Sequence, residues 1–314
     1  MKSMFGIYPH RVLARSATRL TSTQHGGSIS RMISRVASAS RALAVVLLLS
    51  AVANHSAHAQ TFGLLYSFTN GTDGGYPYST LIQDASGNLY GTTYYGGAYT
   101  YGTAFELSTS PETVLHSFGN GMGDGSSPFA GLVLDKSGNL YGTTYSGGAS
   151  SVGTVFKVTK TGTETVLYSF SGGADGEYPY AGLVRDSLGN LYGTTSEGGA
   201  SNVGTVFKVT PTGQETVLYS FAGGTDGANP FAGLVRDRKG NLYGTTEAGG
   251  ASGVGTVFKL SATGQETVLH TFTGATMDGA NPFGGLVRDA AGNLYGTTFV
   301  GGAFGHGAVY KITH

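Results

Sequence analysis

Cysteine and tryptophan are absent from this 314-residue chain, and only 11% of its residues are charged. Without cysteine there can be no disulfide, no thiolate metal site and no cysteine nucleophile, so the fold must be held by packing alone. Lack of tryptophan removes the largest ring from any sugar-binding platform. So small a charged fraction, beside 54 glycines, excludes both a disordered polyelectrolyte and a charged helical bundle. Also missing are a phosphate-binding glycine loop followed by a helix, a histidine cluster at metal-ligand spacing, and helical periodicity anywhere after residue 60. What remains suits short strands joined by tight turns.

The formal net charge of zero averages two unlike parts. Seven basic residues (Lys2, Arg11, Arg15, Arg19, Arg31, Arg35 and Arg41) and no acidic one precede residue 60, which leaves the remainder near −7. That balance argues against nucleic acid or an anionic membrane as partner. The basic stretch runs into a 12-residue apolar segment, Ala42 to Ala53, then Ala57-His58-Ala59 and Gln60. A basic region, a short apolar core and an Ala-x-Ala site make residues 1–59 a secretory signal peptide with an extended basic region, cleaved after Ala59. Translation from Met32 instead would leave a conventional 28-residue signal. Twelve residues are too few to span a bilayer, so a secreted or periplasmic product with no membrane insertion after cleavage is expected.

The remainder is repetitive. A Leu-x-x-Asp-x-x-Gly-Asn-Leu-Tyr-Gly-Thr-Thr pattern recurs with its Asp at Asp84, Asp135, Asp186, Asp237 and Asp289, spaced 51, 51, 51 and 52 residues apart. Each of the first four copies holds four β-branched or aromatic runs bounded by Gly, Asn, Asp or Pro; in the third they are 182–186, 190–195, 204–210 and 215–221. The last copy stops after its third run, 307–314, while an unattached fourth-run sequence, Phe62-Gly-Leu-Leu-Tyr-Ser-Phe68, precedes the first. A ring explains both ends. The expectation is an all-β, five-bladed β-propeller over residues 60–314, with four-stranded antiparallel blades, closed by the N-terminal strand pairing onto the last blade.

The Asp-x-x-Gly-Asn-Leu-Tyr-Gly-Thr-Thr string, with its Gly-Gly and Gly-Thr-Val-Phe-Lys companions, resembles the GloVer tandem-repeat family of bacterial secreted and surface proteins, over about residues 62–314. The resemblance implies an extracytoplasmic location and supplies no catalytic residues.

Antiparallel connectivity gathers the tight turns on one face and the long, glycine-rich loops on the other, which is the expected functional face. There each copy carries an Asp-Gly step (Asp73, Asp124, Asp175, Asp226, Asp278) and a Pro-aromatic step (Tyr78, Phe129, Tyr180, Phe231, Phe283). Fivefold repetition favours a turn-and-packing role for both over a sugar platform or a carboxylate site. The Asp of Asp-x-x-Gly-Asn reads as a turn acceptor; Arg185, Arg236 and Arg288 form a partial ring of cations; His116 and His270 replace tyrosines of the fourth run. Departures from symmetry mark the candidate ligand site. Tyr94, Tyr95, Tyr99 and Tyr101 in the first copy and Phe299, Phe304 and His306 in the last would meet at the seam of a closed ring, with Glu197 and Glu247 in the neighbouring long loops. No catalytic set, metal site or cofactor is expected, Ca²⁺ being the ion those carboxylates would suit. The expected function is a monomeric, non-enzymatic module binding extracellular carbohydrate or protein. A structural cell-envelope repeat protein is the alternative, and a polysaccharide-active enzyme, using Glu197 and Glu247, the third reading.

Overall fold

The computed structural model describes residues 61–108 and 112–314. The signal peptide and the alternative start at Met32 lie outside the described residues.

Four copies form complete four-stranded antiparallel sheets, each ordered as the chain runs. In the third copy the strands are Val184–Arg185, Leu191–Thr195, Thr205–Val209 and Glu215–Ser220. The fifth copy has three: Val287–Arg288, Leu294–Thr298 and Ala308–Ile312. Among the described residues there is no helix. Register is fixed by the Leu-Tyr-Gly-Thr-Thr strand, in which Gly193 faces Phe207 and Thr195 faces Thr205. A Cβ on Gly193 would lie 2.6 Å from the Phe207 ring and 2.9 Å from Leu183, so glycine is required by close packing and not by its backbone angle. The second Thr of the string bonds its cross-strand Thr (Thr195 to Thr205, 2.9 Å), and the first donates to the next copy (Thr194 Oγ1 to Ala232 O, 3.1 Å). One dipeptide thus ties a sheet together and ties it to its neighbour.

The core is divided among the spaces between successive sheets. Phe118, Leu132, Leu140 and Phe156 pack between copies one and two, and equivalent clusters fill the other three spaces. In each, the Phe that follows the fourth strand sits edge-on to the third-strand ring of the next copy: Phe118 on Phe156, Phe170 on Phe207, Phe221 on Phe258, Phe272 on Tyr310, all 4.8–5.1 Å apart. Full burial of one such ring contributes about 1.5–3 kcal/mol.

The expected ring-closing strand pair is not formed, and the sheets do not close. Residues 61–69 make no strand, and Ala308–Ile312 has no partner on its outer side. Val309 is accordingly 82% exposed, where its equivalents Val155, Val206 and Val257 are fully buried. Phe68 nonetheless stands on Phe105 at 5.0 Å, the arrangement of the four other seams.

Candidate functional site

On the long-loop face, the connection entering each copy pairs with the loop between that copy's second and third strands. Gly75 exchanges two backbone bonds with Tyr95 (2.8 and 3.1 Å), Glu177 with Glu197 and Ala228 with Ala248. In copies two and five the pairing is a small sheet, Gly125–Ser126 with Ser146–Gly147 and Gly279–Ala280 with Val300–Gly301. The residue after this pair adopts positive φ in every copy: Tyr76 (57°), Ser127 (57°), Tyr178 (55°), Asn229 (55°) and Asn281 (52°). Asparagine tolerates that region, and Asn229 and Asn281 also donate from Nδ2 to Ser196 O and Glu247 O of the preceding copy. Tyrosine does not tolerate it well. At Tyr76 and Tyr178 the strained backbone delivers a ring to the surface.

These rings join a continuous cluster. Tyr76 meets Tyr78 (6.4 Å, stacked) and Tyr95 (5.6 Å, edge); Tyr94 meets Tyr95 at 4.4 Å and Tyr78 at 5.9 Å. Phe129 lies between Tyr78 (4.9 Å) and Tyr180 (4.1 Å), and Tyr145 contacts Tyr178 (5.0 Å) and Tyr180 (5.8 Å). Seven tyrosines and one phenylalanine therefore form a platform across copies one to three. Phe231 and Phe283 continue it as a narrower row. Tyr76, Tyr78 and Tyr95 are about half exposed. Burial, reinforced by neighbouring tyrosines, raises Tyr94, Tyr145 and Tyr180, so their phenols stay protonated and able to donate hydrogen bonds.

Of the residues picked from sequence, Tyr94 and Tyr95 belong to this platform. Tyr99 and Tyr101 are exposed apart from it; Tyr101 borders a cleft of about 550 Å³ with Gly119, Met122, Asp124 and Ser146. Phe299 touches Phe283 at 6.0 Å, at the far end of the row, while Phe304 is exposed and His306 bridges back to Gly301. Among the described residues no ring contact joins the first-copy tyrosines to Phe299, Phe304 or His306. Glu197 is paired with Glu177 through the backbone, whereas Glu247 stands in the next loop, raised by burial. Sequence reasoning passed over Tyr76, Tyr145 and Tyr178. The available signal was the asparagine at two equivalent positions.

The tight-turn face follows the expected chemistry. Asp186 Oδ1 accepts from the amides of Leu188 and Asn190 (both 2.9 Å), and Oδ2 from Asn190 Nδ2 (2.9 Å) and the Tyr192 hydroxyl (3.0 Å). Arg185, Arg236 and Arg288 lie over Tyr141, Tyr192 and Tyr243 of the preceding copy at 5.5–5.8 Å. Between copies four and five this face opens a cleft of about 610 Å³, with Arg236, Arg238, Lys239, Lys259 and Arg288 on its walls beside Asp237 and Asp289. Both acids belong to their own turns, so the cleft is cationic in a repeat region, residues 60–314, whose acidic residues outnumber its basic ones.

At the seams between sheets, the Asp of each Asp-Gly step closes its own turn. Asp175 Oδ2 accepts from Ser171 N (2.8 Å) and from the Tyr168 hydroxyl (2.8 Å), and Asp226 repeats this with Tyr219. His270 and His116 fill the tyrosine slot, with Nε2 3.1 and 3.4 Å from Asp278 and Asp124. Each also packs edge-on against the Phe two residues on, as the tyrosines do.

The Gloeobacter/Verrucomicrobia repeat model matches residues 51–187 and 173–314. No curated protein matches the chain. Among solved structures, a gluconolactonase from Xanthomonas campestris is similar over 74% of this chain and 71% of its own, with 15% identity and a TM-score of 0.48. A putative 6-phosphogluconolactonase from Bacteroides uniformis is similar over 76% and 72%, with 17% identity and a TM-score of 0.43. A further putative gluconolactonase covers 77% and 79%, with 14% identity and a TM-score of 0.42.

Proposed function

The chain belongs to the Gloeobacter/Verrucomicrobia repeat family, and from that premise we propose that it is an exported, non-enzymatic binding module whose tyrosine platform takes carbohydrate or protein. The basic, apolar and Ala-x-Ala segments of the N-terminus support export to the periplasm or beyond. The observation that carries binding is the backbone at Tyr76 and Tyr178. A bulky residue at positive φ costs on the order of 1–2 kcal/mol, yet copies four and five make the same turn with Asn229 and Asn281. A seal between sheets has no need of that strain. A surface that must present several half-exposed, hydrogen-bonding rings does.

The test follows from the same contrast. Tyr76→Asn and Tyr178→Asn install the residue of the later copies, so melting temperature is expected to hold or rise. Retention of ligands from a glycan array or of proteins from envelope extracts is expected to fall at least about tenfold, the 1–2 kcal/mol carried by one anchoring ring. Unchanged retention in both variants refutes the platform. Absence of any ligand with tight envelope fractionation favours the structural reading, and polysaccharide turnover lost in Glu197→Gln or Glu247→Gln favours the enzyme. The cationic cleft at Arg236 and Arg288 supports one second reading, an anionic ligand on the opposite face, which would survive Tyr178→Asn and weaken with salt.

For the fold, the finer reading is a five-bladed β-propeller in which residues 62–68 complete the last sheet. Phe68 on Phe105, the Tyr66 hydroxyl on Asp73 (3.0 Å) and the bare outer side of Val309 support it. By analogy with Thr205 facing Ser220, Ser67 would face Ala308. In a chain without cysteine, Ser67→Cys with Ala308→Cys then forms an intramolecular disulfide on mild oxidation. Free thiols in the folded double variant refute closure.

A further inference from the structure

We infer that His116, Asp124 and Glu164 form a divalent-cation site of the Zn²⁺ type, binding across the seam between the first and second sheets. His116 is the next-to-last residue of the fourth strand of copy one, Glu112–Ser117, Asp124 closes the turn that follows, and Glu164 opens the fourth strand of copy two. Ligand atoms of the three lie within 4.8 Å of one another. His116 Nε2, Asp124 Oδ1 and Glu164 Oε1 are all buried, and none has a hydrogen-bond partner. The Asp124 side chain is 10% exposed and that of His116 14%. His116 Nε2 stands 3.4 Å from Asp124 Oδ2, an ion-pair distance without hydrogen-bond alignment, and Oδ1 is left free. Three unpartnered, ligating atoms buried face to face are costly unless something shared satisfies them.

The other seams show what is particular here. Glu112, Glu215 and Glu266 repeat the buried Glu, and Tyr66, Tyr168 and Tyr219 close onto their Asp through a phenol O–H. A phenol supplies a proton to the Asp; an imidazole nitrogen supplies a lone pair toward the space between Asp and Glu. His270 makes the same exchange in copy four, but among the described residues no Glu joins it and Asp278, and its Nε2 bonds Asp278 directly. Only where histidine and the next copy's Glu coincide is the donor set complete among the described residues.

The surroundings suit ligation. Gly119 N and Asn120 N donate to Asp124 Oδ2 (2.8 and 2.9 Å), which holds the carboxylate and leaves Oδ1 for the ion. Phe118 packs edge-on against the imidazole at 4.8 Å and fixes its plane. One nitrogen and two carboxylates suit tetrahedral Zn²⁺ with a fourth, open position. They are too few oxygens for Ca²⁺. A contraction of the ligand atoms from 4.8 Å brings them to the separation that bonds of about 2.0–2.2 Å require.

The full chain, stripped with EDTA and carrying no histidine tag, is titrated with Zn²⁺ by calorimetry. His116→Tyr restores the residue of copies two and three and of the N-terminal segment (Tyr168, Tyr219 and Tyr66) and is expected to fold. It should lose one equivalent of Zn²⁺, weakening that site beyond the roughly 10–100-fold typical of a lost supporting contact. Glu164→Gln should lose the same equivalent, and His270→Tyr should keep it. Zn²⁺ should also raise the melting temperature of the wild type and not of His116→Tyr, because the ion ties two sheets. Equal Zn²⁺ stoichiometry and affinity in His116→Tyr and wild type, or no Zn²⁺ bound by the wild type, overturns the assignment.

Discussion

Tyr310 stands where Phe156, Phe207 and Phe258 stand in earlier copies, and its added oxygen is the one buried hydroxyl without a partner among the described residues. Burial pushes the phenol well above its ordinary range, so it remains protonated, a donor with nothing to donate to. Leaving such a group unsatisfied costs about 1–3 kcal/mol. Tyr310→Phe restores the packing of the other copies without that penalty and is expected to stabilise the chain by about 1 kcal/mol, read as a higher urea midpoint with unchanged slope. An unchanged midpoint would mean that the hydroxyl reaches water. Repeat comparison makes this position visible in sequence, as it does the His116 exchange. It does not reveal the site at His116, because Glu164 lies in the next copy and only packing between sheets brings the two together.

At the level of the element, the hairpin between first and second strands is the best-determined unit, and its chemistry is legible in the Asp-x-x-Gly-Asn string itself. Asp186 is nearly buried and accepts four bonds, two from backbone amides and two from Asn190 and Tyr192 side chains. Asp186→Ala orphans those donors at once, among them the partly buried Tyr192 hydroxyl, and is expected to cost about 1–3 kcal/mol. Urea denaturation measures the loss; Asp186→Asn, which keeps an acceptor oxygen, should recover part of it. The strands around this turn announce themselves by β-branched and aromatic residues, which is why their order and register follow from the repeat. The pairing of the inter-sheet connection with the long loop was not legible. Its partners are Gly75 with Tyr95, Glu177 with Glu197 and Ala228 with Ala248, and no shared side-chain pattern specifies a pairing made entirely by backbone. The platform tyrosines hang on that pairing, so Tyr94 and Tyr95 were found by their abundance and Tyr76 and Tyr178 were missed. Residues 62–68 read as a fourth-strand sequence yet form no strand, because an edge pairing so distant in sequence depends on how far successive sheets rotate, which no local residue encodes.

Across the whole molecule the repeat multiplies two opposed proton linkages. The turn carboxylates Asp84, Asp135, Asp186, Asp237 and Asp289 titrate below the usual range, Asp289 at about 2. Burial works against all five, most strongly the first four, and bonds from the Asn side chain, the backbone amides and the Tyr hydroxyl together outweigh it. Their stabilisation is present above the unfolded carboxylate pKa of about 4 and is lost as pH falls through the folded values. The seam glutamates go the other way. Burial, then the neighbouring Asp, pushes Glu215 and Glu266 up to about 7 and Glu112 to about 6. Between about pH 4.3 and 7 the folded state therefore holds more protons than the unfolded one, so stability falls as pH rises through that window and is level above it. The two linkages together put the optimum near pH 4–5, more acidic than the usual range of about 5–8. Urea midpoints measured from pH 3 to 8 in EDTA should peak there. Glu215→Gln with Glu266→Gln should flatten the decline above the peak while leaving the acid limb intact. A wild-type curve rising steadily from pH 5 to 7 would show that the seam carboxylates ionise without cost, and that solvent reaches between the sheets where the packing closes it.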